Sequence, residues 1–479
     1  MNSSQTALAR LDHRYVWHPF TQMRDWLRQP PIIIVDGHGA VLRDAAGREY
    51  LDANSSIWTN LHGHAHPKIN AAIARQLKKI AHSSALGLAN EPASLLAQKL
   101  IVSAGRSRAA APAPRLARVF FSDDGSTAME VALKLAFQLA LRTGRSRNPK
   151  FLCLDSAYHG DTIGAVSLGH IDLFHRSYAG LLFQSDKVMS PCCYRCPFNR
   201  AKPERADARE YRRCHWECVG KVEQKFAARK KKGDPFAGFV FEPLIQGAAG
   251  MIPQPSGWLA RVAEIARGHG APLIADEVMT SLGRAAAGAT SLLACHQENV
   301  HPDYAALAKG LTGGYLPLAA TLTTSEVFGA FLGEYDEFKT FFHGHSFTGN
   351  QLGAAAALAS LEILESPACL AARRSLEKIL CDELKTLWPL EHVGDIRQVG
   401  LVAGVELVKN WKTREPYPLR EQAGLRVCAA MARRGVLTRP VGNVIVLMPP
   451  YCTSAAQART MIRTLRESII ETMGIVCCG

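Results

Sequence analysis

Three apolar runs that each lead to an ionisable residue, at nearly equal spacing, constrain the fold of this chain more than any other feature. Residues 238–243 (GFVFEP) contain Glu242, residues 271–278 (APLIADEV) contain Asp276 thirty-four positions later, and Lys309 follows after another thirty-three. Each interval has room for one strand, one crossover helix and the next strand. The pattern predicts an α/β fold with a mostly parallel sheet. Because ligands bind outside the carboxyl ends of such strands, it also places the three side chains at one site.

Lys309 lies between a small-residue apolar run and a glycine-rich turn, in DYAALAKGLTGGYLP (303–317). A lysine in that place has a fixed stem and presents its amine to a cleft, which suits covalent attachment to a carbonyl if its pKa is lowered. On the local sequence alone, an ordinary surface lysine beside a turn is the alternative. The two carboxylates upstream favour the reactive lysine.

A turn that can bind an anion precedes these runs. Residues 118–122 (RVFFS) predict a strand, 123–127 (DDGST) a turn and 128–141 a helix. Backbone N–H groups of Gly125 and Ser126 are expected to point at an anion at the helix N-terminus. The alternative is a turn that only caps the helix.

A fourth strand, predicted at 151–155, leads to Tyr158, whose ring could stack on a flat ligand. A phosphate site, a buried carboxylate and a lysine able to bind a carbonyl together indicate pyridoxal phosphate. The carboxylate keeps the pyridine nitrogen protonated, so that the ring can act as an electron sink.

The motifs DDGSTAMEVALK, YHGDTIGA, FEPLIQGAAGM, LIADEV, LAKGLTGGYLPLAAT and HGHSFTGNQLG resemble those of the class III, fold-type I, pyridoxal-phosphate-dependent aminotransferases. The segments YVWHPFTQM, SSIWTNLHGHAHP and LTRPVGNVIVLMPPY resemble one branch of that family, which transaminates 8-amino-7-oxononanoate to 7,8-diaminononanoate in biotin biosynthesis. The motifs run from Tyr15 to Tyr451. The resemblance implies a central sheet with helices on both faces, a smaller α+β domain, and a homodimer with shared active sites.

The resemblance also implies roles for individual residues. Lys309 is expected to anchor the cofactor and to carry the proton, Asp276 to pair with the pyridine nitrogen, and Tyr158 to stack on the ring. Gly125 and Ser126 are expected to bind the phosphate, together with Ser346 of the neighbouring subunit, where the family often has threonine. Glu242 orders the cofactor's surroundings or forms a structural pair. Trp58, Phe20 and Gly344 would line the substrate pocket, and Arg439 would bind the acceptor's carboxylate bidentately.

Apart from the resemblance, Phe20 and Trp58 read as core aromatics and Arg439 as a solvated arginine. The amino donor expected from the family is S-adenosylmethionine, and a form that uses lysine also exists. Some members have tyrosine at the positions of Phe20 and Val446 and tryptophan at that of Ile57. This chain lacks those hydroxyl and aromatic groups near the pocket, so the identity of the amino donor stays open. Another class III aminotransferase, acting on ω-amino acids, is the alternative enzyme.

Length and composition bound the remaining possibilities. With 479 residues, 47% hydrophobic and 20% charged, the chain is typical of a soluble globular protein. No apolar run has the length of a membrane span and no signal peptide is evident, so a cytoplasmic enzyme is expected. Three parts are predicted: an N-terminal arm with part of the small domain (1–60), a large cofactor domain (61–340) and a C-terminal small domain (341–479). Helices are predicted at 351–364 and 455–472, and a loop at 103–114.

Residues 191–232 interrupt this pattern with a cysteine-rich, basic insertion. Four of its cysteines, Cys193, Cys196, Cys214 and Cys218, form a C-x2-C and a C-x3-C pair. Such pairs can close a structural zinc site, and the alternative is a surface insertion with reduced thiols.

The same insertion is strongly basic, since residues 195–232 carry thirteen Lys and Arg against five Asp and Glu, within a whole-chain net charge of +14. Such a charge can attract nucleic acid, although a solvated loop or helix is the favoured interpretation and nucleic acid is not the expected partner. A binding or regulatory protein that uses this insertion is therefore the alternative to an enzyme. Thirteen cysteines, an odd number in a chain of this length, do not favour a secreted disulfide scaffold.

Overall fold

The computed structural model describes residues 3–106, 114–169 and 171–474, and within them the chain forms sixteen α-helices and eighteen strands. The helices are α1 (Ser3–Tyr15), α2 (Met23–Trp26), α3 (Ser55–Trp58), α4 (Pro67–Lys79), α5 (Glu91–Ala104), α6 (Gly125–Arg142), α7 (Ile163–Leu168), α8 (Asp172–His175), α9 (Ala208–Tyr211), α10 (Glu217–Lys231), α11 (Trp258–Gly268), α12 (Ser325–Gly329), α13 (Gln351–Leu364), α14 (Pro367–Leu384), α15 (Ala423–Arg433) and α16 (Ala455–Met473).

The strands are β1 (Ile34–His38), β2 (Val41–Asp44), β3 (Glu49–Asp52), β4 (Leu116–Ser122), β5 (Phe151–Leu154), β6 (Asp186–Val188), β7 (Gly238–Phe241), β8 (Ile245–Gln246), β9 (Ile252–Pro253), β10 (Leu273–Asp276), β11 (Tyr304–Leu307), β12 (Ala319–Thr324), β13 (Val393–Val399), β14 (Val402–Asn410), β15 (Glu415–Pro416), β16 (Val436–Leu437), β17 (Pro440–Val441) and β18 (Val444–Leu447).

The largest sheet has seven strands in the order β4-β12-β11-β10-β7-β5-β6. Neighbouring strands from β11 to β6 run parallel, whereas β12 is antiparallel to both β11 and β4. The predicted α/β fold with a mostly parallel sheet is confirmed. Glu242, Asp276 and Lys309 lie at the carboxyl ends of the adjacent strands β7, β10 and β11.

Alternating side chains of β7 show how this sheet is covered on both faces. Phe239 and Phe241 belong to the same buried apolar cluster as Trp258 and Leu259 of α11, whereas Val240 belongs to a second cluster with the apolar residues of α6. Every residue of β7, β10 and β11 is buried, as expected for parallel strands between two layers of helices.

Three smaller sheets complete the fold. One has the order β1-β2-β3-β16, so that a strand from the C-terminal region pairs in parallel with the N-terminal β3. A second has the order β13-β14-β18-β17 with β15 paired to β14, and β8 pairs with β9. The division of the chain at residues 60 and 340 stays a prediction.

Helix α13 has the predicted bounds and α16 extends one residue beyond them. The loop predicted at 103–114 falls mostly on residues 107–113, outside the described residues, while α5 continues to Ala104. No single described helix is long and apolar enough to cross a membrane. Helix α13 and residues Pro367–Leu387 meet the criteria of length and composition together, but they are bent by 70°.

The predicted crossover helix between Asp276 and Lys309 is wrong, because the described connection contains only a 3-10 helix, Ala294–Glu298. Buried Glu277 organises this connection, accepting the N–H of Cys295 at 2.8 Å and the hydroxyl of Thr280 at 2.7 Å. Side-chain acceptors thus satisfy backbone groups that a helix would otherwise satisfy internally.

Candidate active site

A cavity of about 420 Å³ lies at the carboxyl edge of the seven-stranded sheet. Seven of the predicted site residues line it: Trp58, Gly125, Ser126, Tyr158, Glu242, Asp276 and Lys309. The sheet supplies the acidic and lysine side chains, α6 supplies the turn, and residues from the N-terminal region supply the tryptophan. Segments far apart in the sequence therefore meet at one concave site.

Lys309 leaves β11 with a left-handed backbone, φ +44°, which is uncommon for a residue with a side chain. Burial lowers the pKa of its amine, against the opposing charges of Asp276 and Glu242. The Nζ atom lies 4.9 Å from the centroid of the Trp58 ring, within the range of a cation–π contact. The carboxylates and the tryptophan ring favour the charged amine, but burial has the larger effect on its pKa and favours the neutral, nucleophilic form.

Asp276 is paired with a histidine directly behind it. Nδ1 of His159 lies 2.7 Å from Oδ2 of Asp276, and the N–H of Val278 donates to the other carboxylate oxygen at 3.1 Å. Burial opposes the charged imidazole, but the hydrogen bond and charge of Asp276 outweigh it and raise the pKa of His159. The histidine and the N–H of Val278 fix the orientation of the Asp276 carboxylate at the floor of the cavity, where it would stabilise a pyridinium nitrogen.

Glu242 is buried near this pair, and its carboxylate binds the loop after β5 and the loop between β8 and β9. Its oxygens accept the N–H groups of Tyr158, at 3.2 Å, and Gly247, at 2.8 Å. Burial raises its pKa to about 7, although the charge of His159 acts in the opposite direction.

The first turn of α6 lies at the cavity, where the sequence predicts an anion cradle. Asp124 caps this helix through a reciprocal pair of bonds with Thr127, which leaves the N–H groups of Gly125 and Ser126 at the open helix end. A Cβ on Gly160 would lie 2.0 Å from Oγ of Ser126, so only glycine allows this loop to approach the cradle.

Four predicted site residues lie outside the cavity lining. Arg439 donates from Nη2 to the backbone oxygen of Phe20 at 2.7 Å, so these two are in contact with each other. Gly344 and Ser346 are exposed, and the backbone oxygen of Ser346 accepts from Nε2 of His82 at 2.9 Å. In the single chain, the structure does not bring these four residues to Lys309.

Comparisons of the sequence and the fold with known proteins identify a family. The profile of the family described as aminotransferase class-III matches residues 23–469. The chain belongs to the class-III aminotransferases.

Relatives are similar over nearly their whole length. The adenosylmethionine-8-amino-7-oxononanoate aminotransferase of Geobacter sulfurreducens is 46% identical over 463 residues, covering 97% of this chain and 97% of that protein. The crystal structure of the Methanocaldococcus jannaschii protein of the same name superimposes with a TM-score of 0.87 at 39% identity, covering 98% and 99% of the two chains. An omega transaminase of Pseudomonas jessenii in complex with PMP superimposes with a TM-score of 0.86 at 25% identity, covering 97% and 98%.

As a class-III aminotransferase the protein uses pyridoxal phosphate, and the cavity has the features that this cofactor needs. The open N-terminus of α6 fits a phosphate, Asp276 fits a protonated ring nitrogen, and Lys309 fits a covalent attachment point. When bound, the cofactor supplies the electron sink for the reaction. Asp276 and Tyr158 would orient that ring, and Lys309 would hold it and carry the proton.

The cysteine-rich insertion does not form the metal site that its spacing suggested. Across residues 3–106, 114–169 and 171–474, no group of three or more His, Cys, Asp or Glu side chains could hold a metal ion. Cys193 and Cys218 are buried, and burial is the main cause that raises the pKa of each thiol, to about 12 and about 11 respectively. Neutral buried thiols act as small apolar side chains.

Most basic residues of the insertion, including the lysines of α10, are exposed, as the favoured interpretation of a solvated loop or helix expects, but some of its arginines bind the rest of the protein. Arg195 pairs with Glu406 of β14 and donates to the backbone oxygen of Arg414 at 2.6 Å. Arg205 donates to the backbone oxygens of Val393, at 2.6 Å, and Leu390, at 2.9 Å. These arginines fasten the insertion to the β13–β14 sheet.

Two contributions to the site were missed by the sequence analysis. His159, directly after Tyr158, was not assigned as the partner of Asp276, although its place in the YHGD motif was a usable signal. The second contribution comes from Asp52 and the turn that follows it. Their role depends on backbone conformation, which the pattern of residue types does not indicate.

Proposed function

We propose that this aminotransferase transfers an amino group from S-adenosylmethionine to 8-amino-7-oxononanoate, yielding 7,8-diaminononanoate. The observation that carries the proposal is full-length similarity to proteins named for this reaction, at 40–47% identity in five of them. The assembled lysine, carboxylates and cradle support the reaction type. A cytoplasmic location stays a prediction.

We assign Lys309 two tasks, the covalent attachment of the cofactor and the transfer of the proton between substrate carbon and cofactor carbon. Its lowered pKa supports this assignment, because a neutral amine is needed to accept a proton. Asp276, held by His159, stabilises the positive ring nitrogen, and Tyr158 covers the ring.

Substrate contacts are proposed for residues around the cavity. Trp58 lines it, and Arg439 is assigned to the acceptor's carboxylate, where a guanidinium can bind both oxygens. Arg439 donates to the backbone oxygen of Phe20, so a substrate carboxylate would replace a neutral acceptor with a charged one. Gly344 is assigned to the rim contributed by the neighbouring subunit.

A homodimer with shared sites is part of the proposal. Large apolar side chains are exposed in two neighbouring loops, among them Leu86 (91%), Tyr335 (97%), Phe338 (72%), Phe342 (69%) and Phe347 (58%). Such a cluster of exposed aromatic and aliphatic groups is typical of an interaction surface. Ser346 lies in the second loop, next to Phe347, and we assign its hydroxyl to the phosphate site of the neighbouring subunit.

Mixing two inactive variants tests the shared site. If Ser346 serves the neighbouring subunit, heterodimers of K309A and S346A chains contain one site with both native residues and regain activity. If Ser346 acts within its own chain, every site lacks one of the two residues and mixing restores nothing.

The substrate pair is tested by supplying the purified protein with 8-amino-7-oxononanoate and one donor at a time, and measuring 7,8-diaminononanoate by mass spectrometry. The proposal expects product with S-adenosylmethionine. Product only with lysine would replace the donor and keep the acceptor. Turnover of ω-amino acids without use of 8-amino-7-oxononanoate would favour the second candidate, an ω-amino-acid transaminase, which the similarity to the Pseudomonas jessenii omega transaminase keeps open.

A further inference from the structure

Four consecutive residues with side chains adopt left-handed backbone conformations beside the active-site cavity. Ser55, Ser56, Ile57 and Trp58 have φ values of +46°, +48°, +62° and +69°. The N–H of Trp58 donates to the oxygen of Asn54 at 2.8 Å, which closes one left-handed helical turn. L-residues visit this region singly, and each such residue costs free energy, so a run of four requires strong support from its surroundings.

Asp52 provides that support from the end of β3. Its Oδ1 accepts the N–H of Ser56 at 3.0 Å, and its Oδ2 accepts the Ser56 hydroxyl at 2.8 Å. Nε2 of His64 binds the same Oδ2 at 2.9 Å, and Asn60 binds the other ring nitrogen at 3.0 Å. Asp52 is almost fully buried, with 2% of its surface exposed. One carboxylate therefore contacts both the beginning of the turn and the segment that follows it.

The turn reaches the reactive lysine through Trp58. The Trp58 ring lies 4.9 Å from Nζ of Lys309, and a Cβ on Gly247 would come within 3.3 Å of that ring. A Cβ on Gly314, in the glycine-rich turn after Lys309, would lie 2.8 Å from the backbone of Asn60. The glycines around Lys309 thus leave room for the left-handed turn and its tryptophan.

We infer that Asp52, with His64, is a positioning residue for transamination, because it holds the left-handed turn that sets the Trp58 ring against the Lys309 amine. Asp52 does not line the cavity and acts through Trp58. The inference rests on the proposed role of Lys309 and adds to it a residue that the reaction needs without contact to substrate or cofactor.

The test uses D52A in the full-length protein, with D44A as the matched control. Asp44 is equally buried and also ends a strand, accepting the N–H groups of Ala46 and Arg48 at 2.9 Å each, but it has no contact with the turn at 55–58. Hydrogen exchange read by mass spectrometry is expected to become faster at residues 54–60 in D52A and to stay unchanged there in D44A. Unchanged exchange in D52A would overturn the inference.

A double-variant cycle tests the route through Trp58. We expect kcat/KM to fall about 10- to 100-fold in D52A, as for a small misplacement of a catalytic contact. The doubly substituted D52A/W58F should be no worse than W58F alone. Losses that multiply would contradict action through Trp58. If D52A does not fold, S56A, which removes only the hydroxyl bond to Asp52, takes its place in both experiments.

The hydrogen-exchange and kinetic experiments can fail or succeed independently of the proposed substrates. Exchange at residues 54–60 requires no substrate, and the cycle can use any donor and acceptor that the wild-type protein turns over. Failure of 8-amino-7-oxononanoate as a substrate would leave the exchange result unaffected.

Discussion

The sheet-edge cavity and the cysteine-rich insertion at 191–232 were both indicated by reactive residues at regular spacing. In the first the predicted residues line one cavity, whereas in the second no group of described side chains could hold a metal ion. In the cavity, Glu242, Asp276 and Lys309 converge because adjacent parallel strands end at the same edge. In the insertion, Arg195 and Arg205 are used by ion pairs and backbone contacts with another sheet. Spacing that follows from strand topology predicts a site, whereas spacing of thiols and cations alone does not.

The difference is also electrostatic. In the cavity, burial lowers the pKa of the Lys309 amine and raises the pKa of the Glu242 carboxyl to about 7. Both shifts favour proton transfer near neutral pH. In the insertion, burial raises the pKa of the Cys193 and Cys218 thiols and keeps them neutral. Substitutions in the cavity should therefore change catalysis, and substitutions in the insertion should change stability.

The largest effect is expected for K309A. Loss of the covalent attachment point and of the proton carrier should reduce turnover by about 10⁴-fold. Absorbance of the purified protein and steady-state rates measure the result, with K68A as the control, since Lys68 forms only an exposed ion pair with Glu362. Activity in K309A comparable to wild type would show that the reaction does not take place at Lys309 in this cavity.

Glu242 should make stability depend on pH in the cofactor-free protein. Burial raises the pKa of its carboxyl to about 7 in the folded protein, from an ordinary value of 4.5. Between these values the native carboxyl keeps a proton that the unfolded chain has lost, so the free energy of unfolding falls as pH rises. Relative to E242Q, the change from pH 4.5 to 7 should be about 3 kcal/mol by urea denaturation. A difference that is independent of pH would contradict the burial argument.

Within the insertion, R195A should lower stability without changing catalysis. Glu406 is only 10% exposed in its side chain, so removing one of its cationic partners should cost about 1–3 kcal/mol in urea denaturation. The control R200A breaks the more exposed pair with Glu217 and should cost less than about 1 kcal/mol. A large fall in kcat per folded molecule of R195A would show that the insertion takes part in the reaction.

The smallest effect is expected from metal removal. Treatment with a chelator should leave the melting temperature unchanged, because the described cysteines do not form a metal site. One zinc per chain in elemental analysis, together with a lower melting temperature after chelation, would show that the insertion does bind a structural metal ion.

The sequence was sufficient to predict the strands and the helix that carry the cavity, because buried parallel strands appear as continuous apolar runs and α6 as a periodic one. It failed for the connection between Asp276 and Lys309, where Glu277 satisfies an irregular backbone that periodicity cannot indicate. It failed likewise for Ser55 to Trp58, since a left-handed turn of residues with side chains depends on tertiary support from Asp52.

The most direct test of the central claim, that the sheet-edge cavity holds the cofactor covalently at Lys309, is borohydride reduction of the purified protein followed by peptide mass spectrometry. The account predicts a pyridoxyl phosphate group on the peptide that contains Lys309 and its absence from K309A. A reduced cofactor on a different lysine, or on none after incubation with pyridoxal phosphate, would contradict it.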